Sequence, residues 1–210
     1  VGWFGTSTDA GKISINPAVE SKKGPLWEVA AFNRSNAYEI SKDAENSPMW
    51  GGTPTDRSIF DLSKKLHELG YNVTMYPMLF IDDENKSWRG FIKAKSDADM
   101  NHFFSEYSKF IKHYASMERN GEKLSDYIDD FIIGTEMMGI TEYKNSKGEY
   151  KGVDGFINLA SEIRGIVGDD IKLTYAANWD EYHHAEDGSY YLDKLWGNEN
   201  IDYIGIDAYF

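Results

Sequence analysis

Glu136 has the residue type and the position best suited to acid–base chemistry in this chain. It follows the apolar run Phe131-Ile-Ile-Gly-Thr135 without interruption, so we expect it to project from the end of a buried strand. A carboxyl group placed there can exchange a proton with a reacting bond. Two structural readings stay open beside the catalytic one, because the same carboxylate could cap a helix or pair with an arginine such as Arg89.

Further polar and aromatic side chains follow other apolar runs in the same way. They are Asp82 and Asp83, Asn178 and Trp179, and Asp207 and Tyr209. Carboxylates, an amide and flat rings around one opening are suited to binding and cleaving a sugar, because two carboxyl groups must flank a glycosidic bond. We predict substrate contacts for Asn178, Trp179, Asp207 and Tyr209, with Asp207 as part of the wall.

Four helix-then-strand units are predicted to position these residues. The predicted helices run from Asp56 to Leu69, from Asp97 to Met117, through Phe156–Val167, and near Tyr191–Trp196. The predicted strands are Val73–Ile81, Ile128–Thr135, Lys172–Ala177 and Ile201–Ile206, with an earlier one at Val1–Thr6. Between residues 7 and 52 we expect an excursion with short strands at Lys12–Asn16 and Leu26–Phe32. The aromatic stripe of the second helix, which includes Phe103 and Tyr107, is typical of a buried core.

Alternating helices and buried strands predict a parallel sheet with right-handed crossovers. A doubly wound nucleotide-binding sheet would carry a glycine-rich phosphate turn after a strand, and none of the four strands is followed by one. The sequence therefore favours a β/α barrel, in which the carboxyl ends of the strands converge on the active site.

The amino-acid composition limits the classes of partner that the protein is expected to bind. The net charge of −13 disfavours nucleic acid and anionic membrane surfaces. The chain has no cysteine, which excludes disulfides and thiolate metal sites. We expect the pair His183-His184 with Glu186 to be a loop and Asp82-Asp83-Glu84 to be a solvated acidic loop, so neither a metal nor a cofactor is predicted.

Five segments occur in an order that resembles a known family. The segments are Trp50-Gly-Gly-Thr-Pro-Thr-Asp56, Trp88-Arg-Gly90, Phe131-Ile-Ile-Gly-Thr-Glu-Met137, Leu173-Thr-Tyr-Ala-Ala-Asn-Trp179 and Ile201-Asp-Tyr-Ile-Gly-Ile-Asp-Ala-Tyr209. Together they resemble the TIM-barrel-like domain of gene transfer agent (phage-tail-like) proteins, which is similar to a β-mannanase-like branch of the large retaining glycosidase clan.

The resemblance implies an α/β fold of the (β/α)8 TIM-barrel type, with about strands two to six in this chain. Residues 1–210 would then be one partial domain of a longer protein. The resemblance makes Glu136 the acid/base residue of strand four, with Thr135 where that clan usually has asparagine. It also implies that Trp88 and Arg89 line a sugar subsite, although a loop anchor fits them equally well. The clan's nucleophile lies on strand seven, beyond Phe210.

Two functions of different classes follow from these expectations. The first is a glycoside hydrolase-like enzyme that acts on a β-linked polysaccharide or cell-envelope glycan by a retaining two-carboxylate mechanism. The second is a non-catalytic glycan-binding or structural barrel that contacts other proteins of a phage tail or baseplate. In either case we expect a soluble domain, part of a phage-tail-like particle, that binds neither nucleic acid nor membrane. A carbohydrate (β-glycan) is the partner expected of the enzyme and of the glycan-binding barrel.

Overall fold

The computed structural model describes residues 1–19, 38–185 and 187–208, and its elements alternate as the sequence predicts. The strands are β1 (Gly2–Gly5), β2 (Ile15–Asn16), β3 (Ala18–Val19), β4 (Tyr38–Glu39), β5 (Thr74–Met75), β6 (Met78–Ile81), β7 (Glu118–Arg119), β8 (Glu122–Lys123), β9 (Asp130–Thr135), β10 (Lys172–Asn178) and β11 (Gly205–Asp207). The helices are α1 (Asp56–Glu68), α2 (Asp97–Ala115), α3 (Met138–Thr141), α4 (Lys151–Val167) and α5 (Asp193–Trp196). Two 3-10 helices span Arg89–Phe91 and Leu124–Tyr127.

The main strands form a parallel layer in which neighbours in space are also neighbours along the chain. β1 pairs with β6, β5 with β9, β9 with β10, and β10 with β11, always in parallel. Since β5 and β6 are separated only by Tyr76 and Pro77, they continue one strand path. Sequential parallel pairing of this kind is typical of a β/α barrel wall and confirms the predicted fold class. Within the described residues the wall does not close, because β11 has one strand neighbour and β1 pairs on its outer side with the antiparallel β2.

The predicted strand Val73–Ile81 is divided into two, which the sequence analysis did not anticipate. The break falls at Tyr76 and Pro77. Proline has no backbone N–H to give to a sheet, so pairing lapses at this position. The short Thr74–Met75 segment then pairs with β9 on one side, and Met78–Ile81 pairs with β1 on the other.

Local sequence signals set the ends of the helices. The Thr55 side chain accepts a hydrogen bond from the Ser58 amide at the start of α1, and Ser96 does the same for Asp99 at the start of α2. The long helix α4 ends at Gly168, whose φ of +83° is a conformation that glycine adopts without a steric penalty.

The core lies between the strand layer and helices α2 and α4. Phe103, Tyr107, Phe110, Ile111 and Tyr114 of α2 are all fully buried, which confirms their prediction as a core stripe. The apolar residues Ile59, Leu62, Leu66 and Leu69 recur at helical spacing and predict an apolar stripe on α1, which is only partly correct. Ile59 is buried, but Leu62 and Leu69 are 60% and 59% exposed, and Phe60 occupies the interior instead.

In the excursion, the predicted strand Lys12–Asn16 is shortened to β2, and Leu26–Phe32 lies outside the described residues. Helices long and apolar enough to cross a lipid bilayer do not occur within residues 1–19, 38–185 and 187–208.

Gly139 in α3 allows the close approach of α3 to the segment that carries Arg89. A Cβ on Gly139 would lie 2.4 Å from the carbonyl oxygen of Ile92 and 2.8 Å from that of Gly90, and backbone atoms cannot move aside cheaply. We therefore expect Gly139→Ala to lower the free energy of unfolding by about 1–3 kcal/mol. Gly165→Ala is the matched control, because a Cβ there meets no atom within 4 Å and the helix should gain up to about 1 kcal/mol. Urea denaturation measures both, and equal effects of the two variants would contradict this interpretation.

Candidate active site

Glu136 lies at the point where β9 ends and the chain turns toward α3. Its backbone N–H donates to the Ala176 carbonyl of β10 at 2.9 Å, so sheet pairing persists to this residue. Its φ is +50°, in the left-handed region that a glutamate rarely adopts. Such a conformation costs about 1–3 kcal/mol and is concentrated at functional sites, where the surroundings hold it in place.

Three donors hold the Glu136 carboxylate, whose side chain is 4% exposed. Arg89 donates from a terminal guanidinium nitrogen to Oε2 at 2.6 Å, and Trp88 donates from Nε1 to the same oxygen at 2.9 Å. Asn178 donates from Nδ2 to Oε1 at 3.1 Å. A buried carboxylate needs partners of this kind, because an unpaired charge away from water is strongly unfavourable.

One strand end and one loop provide these partners. Trp88 and Arg89 lie at the start of the 3-10 helix that follows β6, and Asn178 is the last residue of β10. Arg89 also donates from Nε to the Thr135 carbonyl at 3.0 Å, which fixes the guanidinium against the end of β9. The structure therefore brings together Glu136, Trp88, Arg89 and Asn178. The pairing of Glu136 with Arg89, one of the readings that the sequence left open, is present.

Asp207 belongs to an adjoining network rather than to the Glu136 carboxylate. Its Oδ2 accepts from the Thr135 hydroxyl at 2.6 Å and from the Tyr76 hydroxyl. The Arg89 guanidinium reaches the same Thr135 hydroxyl at 3.4 Å, so the two networks meet at this threonine. The Thr135 hydroxyl is therefore engaged by Asp207 of β11 and by Arg89. Burial, followed by the bond to Asp207, raises the pKa of Tyr76.

The remaining predicted residues are placed differently. The Trp179 side chain is 55% exposed, and Trp179 follows directly after Asn178 in the chain. Tyr209 lies outside the described residues. Asp82 and Asp83 accept hydrogen bonds from neighbouring loop residues, Ser41 for Asp82 and Ser87 for Asp83.

Glu181 is a buried carboxylate that the sequence analysis missed. It is 1% exposed. Its carboxylate accepts hydrogen bonds from the Thr141 hydroxyl at 2.5 Å, the Tyr175 hydroxyl at 2.7 Å and the backbone N–H of Asn178 at 3.0 Å. Tyr175 is buried, and its hydroxyl also accepts from the Met137 backbone N–H at 2.8 Å. The sequence signal that could have found Glu181 is its position shortly after the end of β10, which Asn178 forms. A glutamate in a loop is ordinarily solvated, however, so this position alone does not predict burial.

Burial raises the pKa of Glu181 to about 7, against the lowering effect of its three hydrogen bonds. The unfolded chain ionises this group near its ordinary value of 4.5, whereas the folded protein keeps the proton until about pH 7. The folded state therefore binds more protons between these limits, and the free energy of unfolding should fall as the pH rises through this window, by about 3 kcal/mol. Below the window both states are protonated, and above it both are ionised, so the contribution is constant there.

Glu181→Gln removes this titration while keeping the shape of the side chain. Urea denaturation of both proteins from pH 4 to pH 8 should show a stability difference that changes by about 3 kcal/mol across the window. Other carboxylates contribute equally to both proteins and cancel. A difference that is independent of pH would show that Glu181 does not titrate as its burial requires.

Groups of three or more His, Asp or Glu side chains arranged to hold a metal ion do not occur in the part of the chain that the structure describes. His183 and His184 lie in an exposed loop after β10, as expected, and Glu186 is outside the described residues.

Comparison with known proteins connects this geometry to a family. The sequence pattern of the GTA TIM-barrel-like domain matches residues 105–210, just over half of the chain. The fold is similar to that of a GH113 beta-mannanase from Alicyclobacillus acidocaldarius in complex with ManMIm, with a TM-score of 0.59 and 18% identity. That match covers 100% of this chain and 49% of the mannanase, so this chain spans about half its length.

A chitinase from Rhizomucor miehei matches with a TM-score of 0.39 and 15% identity over 92% of this chain and 56% of the other, a likeness too distant to carry weight. No curated protein matches the chain by sequence. The fold is thus that of a TIM-barrel-like domain, similar to the barrel of that mannanase, and the chain belongs to the GTA TIM-barrel-like domain family.

Proposed function

We propose that this domain is the acid/base half of a retaining glycosidase that acts on a β-linked glycan. The observation that carries the proposal is the setting of Glu136. This carboxylate stands at a strand end in a strained backbone conformation and is oriented by Arg89, Trp88 and Asn178. Strain and orientation of this kind are typical of groups that must meet a reacting bond in one geometry.

Exposed aromatic rings in the loop that follows Asn178 support a carbohydrate ligand. Trp179 is 55% exposed, and Tyr182 and Tyr190 of the same loop are 41% and 60% exposed. Large apolar rings left exposed at a protein surface are a feature of binding sites. A pyranose offers such rings a flat face of C–H groups, while its hydroxyls need polar partners such as Asn178.

In the proposed reaction, Glu136 gives a proton to the departing glycosidic oxygen and later takes one from the attacking water. Arg89 then stabilises the carboxylate that remains after proton transfer, because it already lies 2.6 Å from Oε2. A retaining mechanism also needs a nucleophilic carboxylate roughly 5–5.5 Å from the acid/base group. Asp207 is engaged by Tyr76 and Thr135 and serves in this proposal as a wall residue. We place the nucleophile outside residues 1–210.

One observation favours a second function. The two oxygens of Glu136 already accept three hydrogen bonds, one of them from a cation, and this pattern also suits a carboxylate that only holds loops together. The alternative is therefore a non-catalytic barrel that binds glycan or other proteins of a phage-tail-like particle. Immunoblotting of purified phage-tail-like particles would test whether the protein is part of them, and its absence from the particles would contradict this location.

The test of the proposed function uses the complete protein and a panel of soluble β-linked oligosaccharides that includes a β-mannan series. We expect new reducing ends and measurable binding by calorimetry. Trp179→Ala should weaken binding about tenfold, which corresponds to about 1.4 kcal/mol. Tyr71→Ala is the matched control, because Tyr71 is 62% exposed but precedes β5, at the opposite end of the strands.

The possible outcomes separate the two functions. Hydrolysis together with Trp179-dependent binding supports the enzyme. Binding without hydrolysis contradicts the enzyme and supports the non-catalytic module. Absence of both binding and hydrolysis across the panel contradicts carbohydrate recognition altogether.

A further inference from the structure

We propose that Glu181 is a positioning residue for Glu136, and that its buried carboxylate holds the Glu136 turn from both sides. This inference rests on the proposed function, since Glu136 is the group being positioned. Glu181 does not contact the Glu136 carboxylate in the structure. It acts through two chains of hydrogen bonds, one through Asn178 and one through Tyr175.

The first chain of bonds fixes the amide that holds the Glu136 carboxylate. Glu181 Oε2 accepts from the Asn178 backbone N–H at 3.0 Å, which anchors the end of β10. The Asn178 side chain accepts at Oδ1 from the Asp180 amide at 2.9 Å, and this bond turns Nδ2 toward Glu136 Oε1 at 3.1 Å. Because the Asp180 amide holds Oδ1 of the Asn178 side chain, the Nδ2 group of the same side chain must point the other way, toward Glu136.

The second chain of bonds fixes the backbone immediately after Glu136. Glu181 Oε1 accepts from the Tyr175 hydroxyl at 2.7 Å, and that hydroxyl oxygen accepts from the Met137 N–H at 2.8 Å. Met137 is the residue after the left-handed Glu136, so this bond restrains the turn on its far side. The Thr141 hydroxyl also donates to Oε1, which ties the end of α3 to the same carboxylate.

A carboxylate suits this position because three donors converge on it. Two oxygens with free lone pairs accept all three bonds, whereas an apolar side chain would leave buried donors unsatisfied. The surrounding groups that face it are the Tyr175 and Thr141 hydroxyls, the Glu142 carboxylate at the end of α3, and Tyr191 from the segment before α5. Glu142 and the enclosing core both favour the neutral acid, which agrees with a pKa of about 7.

The hydrogen bonds around Glu181 can be satisfied both when its carboxyl group is protonated and when it is ionised. When Glu181 carries a proton, its O–H can donate to the Thr141 oxygen, and Thr141 can donate to the Met138 carbonyl, which lies 3.2 Å away. Tyr175 and Asn178 keep their bonds in both forms. The position of Glu136 is therefore expected to persist across pH 7, while the direction of the Thr141 hydroxyl changes.

The kinetic test compares Glu181→Met and Glu181→Gln in the complete protein with soluble β-glycan as substrate. Methionine fills the space but accepts none of the bonds, so kcat should fall on the order of 10²-fold while KM changes less than about threefold. Glutamine resembles the protonated acid and should retain kcat within about tenfold. Glu118→Gln makes the same change from carboxylate to amide at an exposed glutamate of β7 and should change kcat less than about twofold.

A structural readout keeps the inference testable without catalysis. In ¹⁵N-labelled protein, the amides of Met137 and Asn178 should shift with a common midpoint near pH 7, and Glu181→Gln should remove that transition. If no glycan is hydrolysed but the Met137 and Asn178 amides shift with the ionisation of Glu181, the proposed enzymatic function is wrong and the structural coupling is supported. If glycan is hydrolysed and Glu181→Met keeps the wild-type kcat, or the amides ignore Glu181, the positioning role is wrong.

Discussion

Glu136→Gln is expected to lower the rate of glycan hydrolysis by about 10²–10⁴-fold, the range that proton transfer by a positioned acid/base group contributes. The amide has nearly the shape of the carboxyl group but can neither give a proton to a leaving oxygen nor take one from water. Its carbonyl can still accept from Arg89 and Trp88 at the Oε2 position. Affinity for the glycan should therefore change less than about threefold.

The measurement is the steady-state rate on soluble oligosaccharides, with affinity measured separately by calorimetry. Glu118→Gln is again the control, since it makes the same chemical change at an exposed glutamate and should leave the rate unaltered. NMR of the first product should show retention of the anomeric configuration. Unchanged hydrolysis in Glu136→Gln would remove Glu136 from the mechanism, and an inverted product would exclude the proposed covalent route.

Arg89→Met is expected to lower the free energy of unfolding by about 3–5 kcal/mol, because it leaves the Glu136 charge buried without its cation. Arg89 is 7% exposed and gives bonds to both the Glu136 carboxylate and the Thr135 carbonyl. For a chain of this size the change corresponds to a fall in Tm of roughly 10 °C.

A double-mutant cycle identifies the origin of that loss. In Arg89→Met combined with Glu136→Gln no buried charge remains, so part of the lost stability should return and the coupling should exceed about 1 kcal/mol. Arg89→Lys keeps the charge but not the planar fork that reaches Thr135 and Glu136 together, and its stability should be intermediate. Additive effects of the Arg89 and Glu136 changes would mean that the ion pair does not stabilise the site.

Much of the fold was predictable because its signals are local. The caps at Thr55 and Ser96, the glycine at 168 and the apolar stripe of α2 specify their elements through neighbours a few residues away. The break at Pro77 was readable in principle, since a residue without an N–H interrupts pairing, but the strongly apolar run around it concealed the signal.

The sequence predicted where the candidate site lies, but it did not predict all of the contacts within the site. Glu136 follows β9, while Asn178 and Asp207 are the last residues of β10 and β11, and a parallel sheet brings such strand ends to one side whatever the details of packing. Glu181 escaped because its burial depends on Thr141, which is 40 residues away along the chain, and on the side chain of Tyr175. Neither partner leaves a trace in the local pattern.

The sequence by itself determined the order of helices and strands, the barrel class and the choice of Glu136 as the residue to test. It did so because hydrophobic periodicity and capping depend on residues close together in the chain. Only the tertiary structure decided that Arg89, Trp88 and Asn178 share the Glu136 carboxylate, that Asp207 turns instead to Tyr76 and Thr135, and that Glu181 is buried. These contacts join residues 42 to 131 positions apart, and such pairs are specified by how the elements pack rather than by the sequence around either partner.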